Sequence, residues 1–367
     1  MAGISFVADP HLSRLTWADR PTIVGDSFYS LHQVTHHCLT NRSALVLLGD
    51  VFDSTRPDST AVAEACRAMD QMQQAQLPVF YIQGNHEKED FTPWMSVHAW
   101  PQHVDRKTFT LEGVTYYGLD WRPSKTIKEE LQRIPPEATS LLLHQSMIEM
   151  MGTITQPECS AEDMPDHVTT IYVGDYHDHV AIPVQCRDRS PKMIYSPGAF
   201  SARNIRQIQA KGFWYRVNGA VHSVPLQTRP AIDVTVHRPE DLDEVLKTVQ
   251  HYRTTMAHTP VAEPLVRIHF AANEFPDAKP RMSALLGGET HLFTDMSAGD
   301  SVAVEASGEQ ITTYTPETLI AQHVADQEIS AQLAFLMQPQ RTPREAVQEL
   351  INEIAATHMP KLVPAQG

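Results

Sequence analysis

Five times in its first half, this chain runs through a short apolar or β-branched stretch and ends it in a small polar island. Ile4 to Ala8 leads into Asp9-Pro10-His11, and Ala44 to Leu48 into Gly49-Asp50-Val51-Phe52-Asp53. Val79 to Gln83 leads into Gly84-Asn85-His86-Glu87, Leu141 to Leu143 into His144, and Thr169 to Val173 into Gly174-Asp175-Tyr176-His177-Asp178-His179. Each apolar run predicts a buried strand. In an open α/β fold the residues just past a strand lie at the carboxyl edge of the sheet, where ligands bind. The five islands are therefore expected to converge in space.

Asp, Asn and His gathered at such an edge suit divalent cations: carboxylate and carbonyl oxygen favour hard ions, and imidazole adds affinity for the transition metals. A site for two ions about 3.5 to 4 Å apart needs one bridging carboxylate, flanking ligands for each ion and open positions for water and phosphate. Asp50 is the bridging candidate. Asp9, His11 and His177 would complete the shell of the first ion, and Asn85, His144 and Asp175 that of the second. In such a site, water activated between the ions attacks phosphorus in line with the leaving oxygen. His86 is left over beside a ligand and is expected to face substrate, orienting the phosphate or protonating the leaving group. Taken singly, these motifs read as ordinary turns and His144 as a core histidine; the ordered set carries the chemistry. Asp53 has two readings, a contact to an active-site histidine or the cap of a helix beginning near Arg56 or Pro57.

DxH, GDxxD, GNHE, a lone His after an apolar strand and a Gly-x-x-His element, in this order, resemble the calcineurin-like metallophosphoesterase superfamily. Within it the chain is similar to the SbcD nuclease family, the bacterial and phage counterpart of the eukaryotic double-strand-break repair nuclease. The motifs extend to about residue 216, and Met193 to Phe200 resembles that family's Tyr-Pro-Gly-Ser turn. The resemblance implies an α/β fold: a four-layer α/β/β/α sandwich over residues 1–227, a smaller α/β capping and DNA-binding domain over 228–336, and a linker with a partner-binding helix over 337–367. It also implies a metal-dependent DNA nuclease subunit acting in repair, recombination or replication, with 3′-to-5′ double-strand exonuclease and single-strand endonuclease activities. Two divalent ions are implied, Mn²⁺ with Mg²⁺ as the alternative, together with homodimerisation and an SMC-like ABC ATPase partner of the SbcC type. The compartment would be the cytoplasm of a bacterial cell or phage-infected host.

One departure matters. Where the family usually reads Gly-His-x-His, this chain has Gly174-Asp175-Tyr176-His177, so a carboxylate replaces an imidazole. Anchoring on Gly174 makes His177 the ligand, whereas a slip along the chain would use His177 and His179. An extra carboxylate is expected to favour Mn²⁺ or Mg²⁺ over Zn²⁺. Two other functions stay open: a stand-alone phosphoesterase acting on small phosphodiesters or phosphoproteins, and a degenerate subunit that tethers DNA or the ATPase.

Net charge opposes a nucleic-acid substrate, because a formal charge of −15 repels a phosphate backbone. Metal ligands account for part of this acidity, and positive charge is concentrated between Arg187 and Arg216, where seven basic residues meet the single acid Asp188. Arg187, Arg189, Lys192, Arg203 and Arg206 are the candidate DNA contacts from this segment. Phe213, Trp214 and Tyr215 read instead as a last core strand. No stretch approaches the roughly 20 apolar residues of a membrane span, the first strand leaves no space for a signal peptide, and the four cysteines lack paired spacing, as expected of reduced thiols.

Past a boundary at Gln227 to Pro230, a strand is expected over Ile232 to His237, a helix over Pro239 to Met256 and a strand over Leu265 to Ala271. Further on, Thr342-Pro343-Arg344-Glu345 forms a capping box before the apolar stripe Val347, Leu350, Ile351 and Ile354. That stripe would pack on its own domain or dock on the ATPase.

Overall fold

The computed structural model describes residues 3–14, 17, 23–87, 94–151, 156–187, 190–203, 207, 209–236 and 241–270, and the backbone of 291–296. All lie in one compact unit, Met1–Ser301. The C-terminal capping box and stripe, Arg189 and Arg206 lie outside the described residues.

Three sheets organise the chain. The first contains β1 (Gly3–Val7), β2 (Ser43–Leu48), β3 (Val79–Ile82), β4 (Gln102–His103), β11 (Gly212–Val217) and β12 (Ala220–Pro225), in the order β12-β11-β1-β2-β3-β4. The second contains β5 (Thr108–Leu111), β6 (Val114–Leu119), β7 (Ser140–His144), β8 (Thr170–Gly174), β9 (Val180–Val184) and β10 (Lys192–Ser196), in the order β5-β6-β7-β8-β10-β9. β1, β2 and β3 run parallel, as do β6, β7, β8 and β10. Every expected strand before an island is therefore present, and each island leaves its sheet at the carboxyl edge.

Alternation along the strands builds four layers. Leu45 and Leu47 of β2 face a core shared with α1 (Asp26–Asn41) and α2 (Ser59–Gln74), while Ala44, Val46 and Leu48 face the second sheet. Strands buried on both faces read as continuous apolar runs, which is why β2 is Ser-Ala-Leu-Val-Leu-Leu. Between the sheets, Phe6 stacks on Tyr172 with ring centroids 3.7 Å apart. On the far side, Ile127 and Leu131 of α3 (Ser124–Leu131) pack with Leu141, Leu143 and Ile171. A short helix, α4 (Ile148–Met151), follows the β7 island. The result is the α/β/β/α sandwich.

α2 begins at Ser59, later than the sequence suggests, because Asp58 accepts from Ala61 N–H at 2.9 Å and caps it. Asp53 is free for other work. The third sheet is separate: β13 (Ala231–Val236), α5 (Asp241–Thr255) and β14 (Leu265–Phe270) form a β-α-β unit, and β15 (His291–Met296) pairs parallel to β14. Leu242, Val245 and Val249 of α5 pack on Val236, Val266 and Ile268.

Candidate metal centre

The loops after β1 and β2 continue side by side beyond their strands: His11 N–H donates to Asp50 O at 2.9 Å and Leu12 N–H to Val51 O at 2.8 Å. Asp9, His11, Asp50 and Asp175 all have positive φ (48°, 43°, 49° and 82°), the left-handed region that costs a non-glycine residue of order 1–3 kcal/mol. Two motif glycines make room for this crowding. A Cβ on Gly84 would fall on the Asp50 carboxylate, and one on Gly174 would strike the His144 ring and Leu48 O.

Among the described residues, three groups of ligand-type atoms lie, within each group, within 4.8 Å of one another: Asp9, His11 and His177; Asp9, Asp50 and His144; and His11, Asp53 and His86. Asp50 takes the central place. Its Oδ1 accepts from His86 N–H at 2.9 Å, and its Oδ2 stands 3.5 Å from His144 Nε2, 3.8 Å from His11 Nε2 and 3.9 Å from His86 Nε2. Asp9 Oδ1 lies 3.8 Å from the Nε2 atoms of His11 and His177 and 4.0 Å from that of His144. Asn85 Oδ1 is 3.2 Å from His144 Nε2.

The far ring nitrogens are tied down. His144 Nδ1 is 2.7 Å from Leu48 O, His86 Nδ1 is 2.9 Å from Asp53 O, and His11 Nδ1 is 3.4 Å from Asp53 Oδ1. An Nδ1–H donated to oxygen leaves the Nε2 lone pair directed into the cage, the usual support for a metal-binding histidine. Burial holds His11 below the usual histidine range, and burial with His11 and Arg203 nearby pushes His177 down to about 3, so both are held neutral. Burial opposes charge on His144, yet the Asp50 carboxylate pushes it up to about 10. The carboxylates around His144 favour positive charge at this point, and the donor set fits divalent cations.

Asp175 is not brought into any of the three groups. Its N–H donates to both Asp9 carboxylate oxygens, at 3.2 and 3.1 Å, and burial raises its own pKa. It thus steadies the Asp9 carboxylate through the main chain, and the third carboxylate expected from the sequence falls outside the three groups. His179 is also engaged elsewhere: Nε2 is 2.7 Å from Ser223 Oγ, Nδ1 is 3.0 Å from Pro197 O, and the ring stacks on Trp214. His177, and not His179, enters the cage.

The expected basic segment is dispersed. β10 runs parallel to β8, so its first residue, Lys192, lies at the edge opposite the ligands; it is buried, with Nζ donating to Pro165 O and Val168 O. Arg187, past the end of antiparallel β9, lies at that same opposite edge, where its N–H donates to Glu162. Arg216 pairs with Glu112 at 3.0 Å. Arg203 alone among the described candidates reaches the cage, where it binds the Asp53 carboxylate and stands 3.4 Å from His11.

Sequence reasoning did not single out Glu87, Gln207 or the exposed Arg14 and Arg56. Glu87 accepts from Phe52 N–H at 2.9 Å and Gly84 N–H at 3.4 Å, locking two motif loops together, and burial pushes it up to about 8. The last letter of Gly-Asn-His-Glu was its signal. Arg14 and Arg56 line a hollow of about 820 Å³, including its open mouth, that adjoins Asp53; nothing in their sequence surroundings marks them.

Residues 4–146 match the model of the calcineurin-like phosphoesterase family, and the chain carries a calcineurin-like metallophosphoesterase domain, a class that binds divalent metals. Among curated proteins it is similar to three archaeal proteins named DNA double-strand break repair protein Mre11. The Methanosarcina acetivorans protein is 31% identical over 152 residues, 38% of this chain and 25% of its own length, and the Methanosarcina mazei protein is 26% identical over the same shares. The matched region thus spans a quarter of those two relatives. The Sulfurisphaera tokodaii protein is 21% identical over 288 residues, 70% of this chain and 71% of its own. A solved archaeal phosphodiesterase aligns with 61% of this chain and 99% of its own at 8% identity and a TM-score of 0.35. Among the described residues, no helix is long and apolar enough to cross a membrane.

Proposed function

We propose that this chain is the nuclease subunit of a DNA repair complex of the SbcCD type, hydrolysing phosphodiester bonds with two divalent ions, Mn²⁺ or in its place Mg²⁺. The observation that carries this reading is the buried cage itself: Asp9 and Asp50 between the inward-facing Nε2 atoms of His11, His144 and His177. Asp9, His11 and His177 would hold one ion; Asn85 and His144 would hold the other, with Asp50 between them. Bound there, divalent ions supply charge neutralisation and an activated water for attack on phosphorus.

The chain's own groups do the rest. The Asp53 carbonyl accepts a hydrogen bond from His86 Nδ1–H and leaves the other nitrogen of this partly exposed ring to orient phosphate or deliver a proton to the leaving oxygen. Arg203 beside the cage, and Arg14 and Arg56 on its rim, offer guanidinium groups to backbone phosphates, local positive charge set against an acidic whole. The Mre11 likeness supports DNA as the substrate, with exonuclease and endonuclease action as in the SbcD family. The resemblance of the motifs to the SbcD family gives an SMC-like ABC ATPase and a second copy of this chain as partners, residues 228–336 as the part that holds DNA, 337–367 as the part that docks on the ATPase, and the cytoplasm as the compartment.

End-labelled duplex DNA incubated with Mn²⁺, Mg²⁺ or EDTA, beside bis-p-nitrophenyl phosphate and a cyclic nucleotide, tests the reading. Manganese-dependent DNA degradation that disappears in Asp50→Ala is the expected result. Cleavage of small esters alone, unchanged by a candidate ATPase, would overturn the nuclease assignment in favour of a stand-alone phosphoesterase.

A further inference from the structure

The loops that leave the first sheet carry the guanidinium rim of Arg14 and Arg56, but those that leave the second sheet present a different chemistry. β6 and β7 run parallel, so Asp120-Trp121-Arg122 and Gln145-Ser146-Met147-Ile148 emerge side by side at the carboxyl edge, where the cage lies. Both segments are tied to the loops of Asn85 and His144. Gln83, two residues before Asn85, donates its N–H to the Asp120 carboxylate at 2.8 Å and accepts from Trp121 N–H at 2.9 Å. The buried Gln145, which follows His144, accepts from Arg122 N–H at 2.7 Å and donates to Arg122 O at 3.0 Å. Glu158 fastens the corner: its carboxylate accepts from Trp121 Nε1–H at 3.1 Å, from Ser146 N–H at 3.1 Å and from the Gln145 side-chain amide. The other acids here are also engaged by the protein, Asp105 with Arg122 at 2.6 Å and Asp120 with Gln83 and His103. Two apolar side chains stay open to solvent: the partly exposed Trp121, and Ile148 at the start of α4, which at 42% is among the few large hydrophobic residues exposed in the described part of the chain.

We propose that Trp121, with Ile148 of the neighbouring loop, forms a nucleobase subsite at the edge of the cage, where the base of a nucleotide joined to the scissile phosphate stacks on the indole. This rests on the phosphodiesterase reading above and adds to it a substrate class, diesters that carry a nucleoside. Every base has a π-face, so stacking on an aromatic side chain binds nucleotides without reading their sequence. The main chain of Trp121 is held by Gln83 and its indole N–H by Glu158, so the ring is oriented before a base arrives and little freedom is lost on binding. Arginines on one rim suit the phosphates of a strand. An aromatic and aliphatic rim whose acids are engaged suits the uncharged part of the nucleotide.

Hydrolysis by the full-length chain with Mn²⁺ tests this on chromogenic diesters that share one leaving group: thymidine 5′-(4-nitrophenyl phosphate), its 3′ isomer, and methyl 4-nitrophenyl phosphate, which has no base. Thermal melting is the fold control. Wild type is expected to favour one of the thymidine esters over the methyl ester by about tenfold or more in kcat/KM, and Trp121→Leu to bring that ratio near one. Trp121→Phe keeps a ring and retains most of the preference. Ile148→Ala, at an exposed position, lowers the ratio about threefold and carries the test should Trp121→Leu fail to melt cooperatively. A wild-type ratio near one for both thymidine esters, a ratio unmoved in the folded variants, or a fall shared equally by all the esters overturns this inference alone. Ester hydrolysis that is absent from wild type, or that survives Asp50→Ala, overturns the phosphodiesterase reading and this inference with it.

Discussion

Where His144 meets the cage it is the last residue of a central strand, its side chain is 0% exposed, and its Nδ1 partner is the main-chain carbonyl of Leu48. At the other end, His177 stands in the loop after β8, is 20% exposed, and is steadied by the side chains of Gln207 and Lys211. Both present Nε2 to Asp9. Backbone support comes with the fold and cannot be mutated away, whereas side-chain support can be tuned or withdrawn. A cage built this way has one end set by the sheets and one end open to adjustment.

Asp50 stands against His144 and His11 alike, so its loss should break the comparison outright. Asp50→Ala is expected to reduce phosphodiester turnover by about a thousandfold or more, measured on bis-p-nitrophenyl phosphate with Mn²⁺; activity near wild type would mean that the cage is not the reaction centre. His86 faces the open side, outside the support of either end. His86→Gln should lower turnover by about 10²- to 10⁴-fold and leave Mn²⁺ affinity in place, a split that kinetics and calorimetry together would resolve.

The comparison is sharpened by removing each terminal histidine in the absence of metal. His144→Ala should cost about 1–3 kcal/mol in urea unfolding, because the buried Leu48 carbonyl loses its donor. His177→Ala, at a partly exposed loop, should stay within about 0.5 kcal/mol of wild type. Equal losses would erase the distinction between the two ends. The smallest effect concerns Asp58, which caps α2 and also accepts from Arg14 N–H at 2.8 Å, three residues past His11. Asp58→Ala should cost about 1 kcal/mol of stability, read in the same unfolding experiment.

The strands before the islands, the sandwich and the convergence of Asp9, His11, Asp50, Asn85, His144 and His177 were legible in the chain alone. Each depends on local pattern: an apolar run makes a strand, and the residue after it lies at the sheet edge whatever its neighbours are. The Asp26–Arg229 ion pair joins residues far apart in the chain, and nothing local marks either partner.

The basic segment shows the limit most clearly. Lys192, Arg187 and Arg203 are close in sequence, yet the direction of β10 sends the first two to one edge of the sheet and brings the third to the other. Strand direction and pairing are properties of the assembled sheet, so a run of charge along the chain does not say which edge it will occupy. The same reason separates His177 from His179 and decides Asp53: sequence specified the candidate residue types and their order, because those follow from strand ends. Only tertiary structure decided which neighbours of each island face inward, because that depends on packing across two sheets.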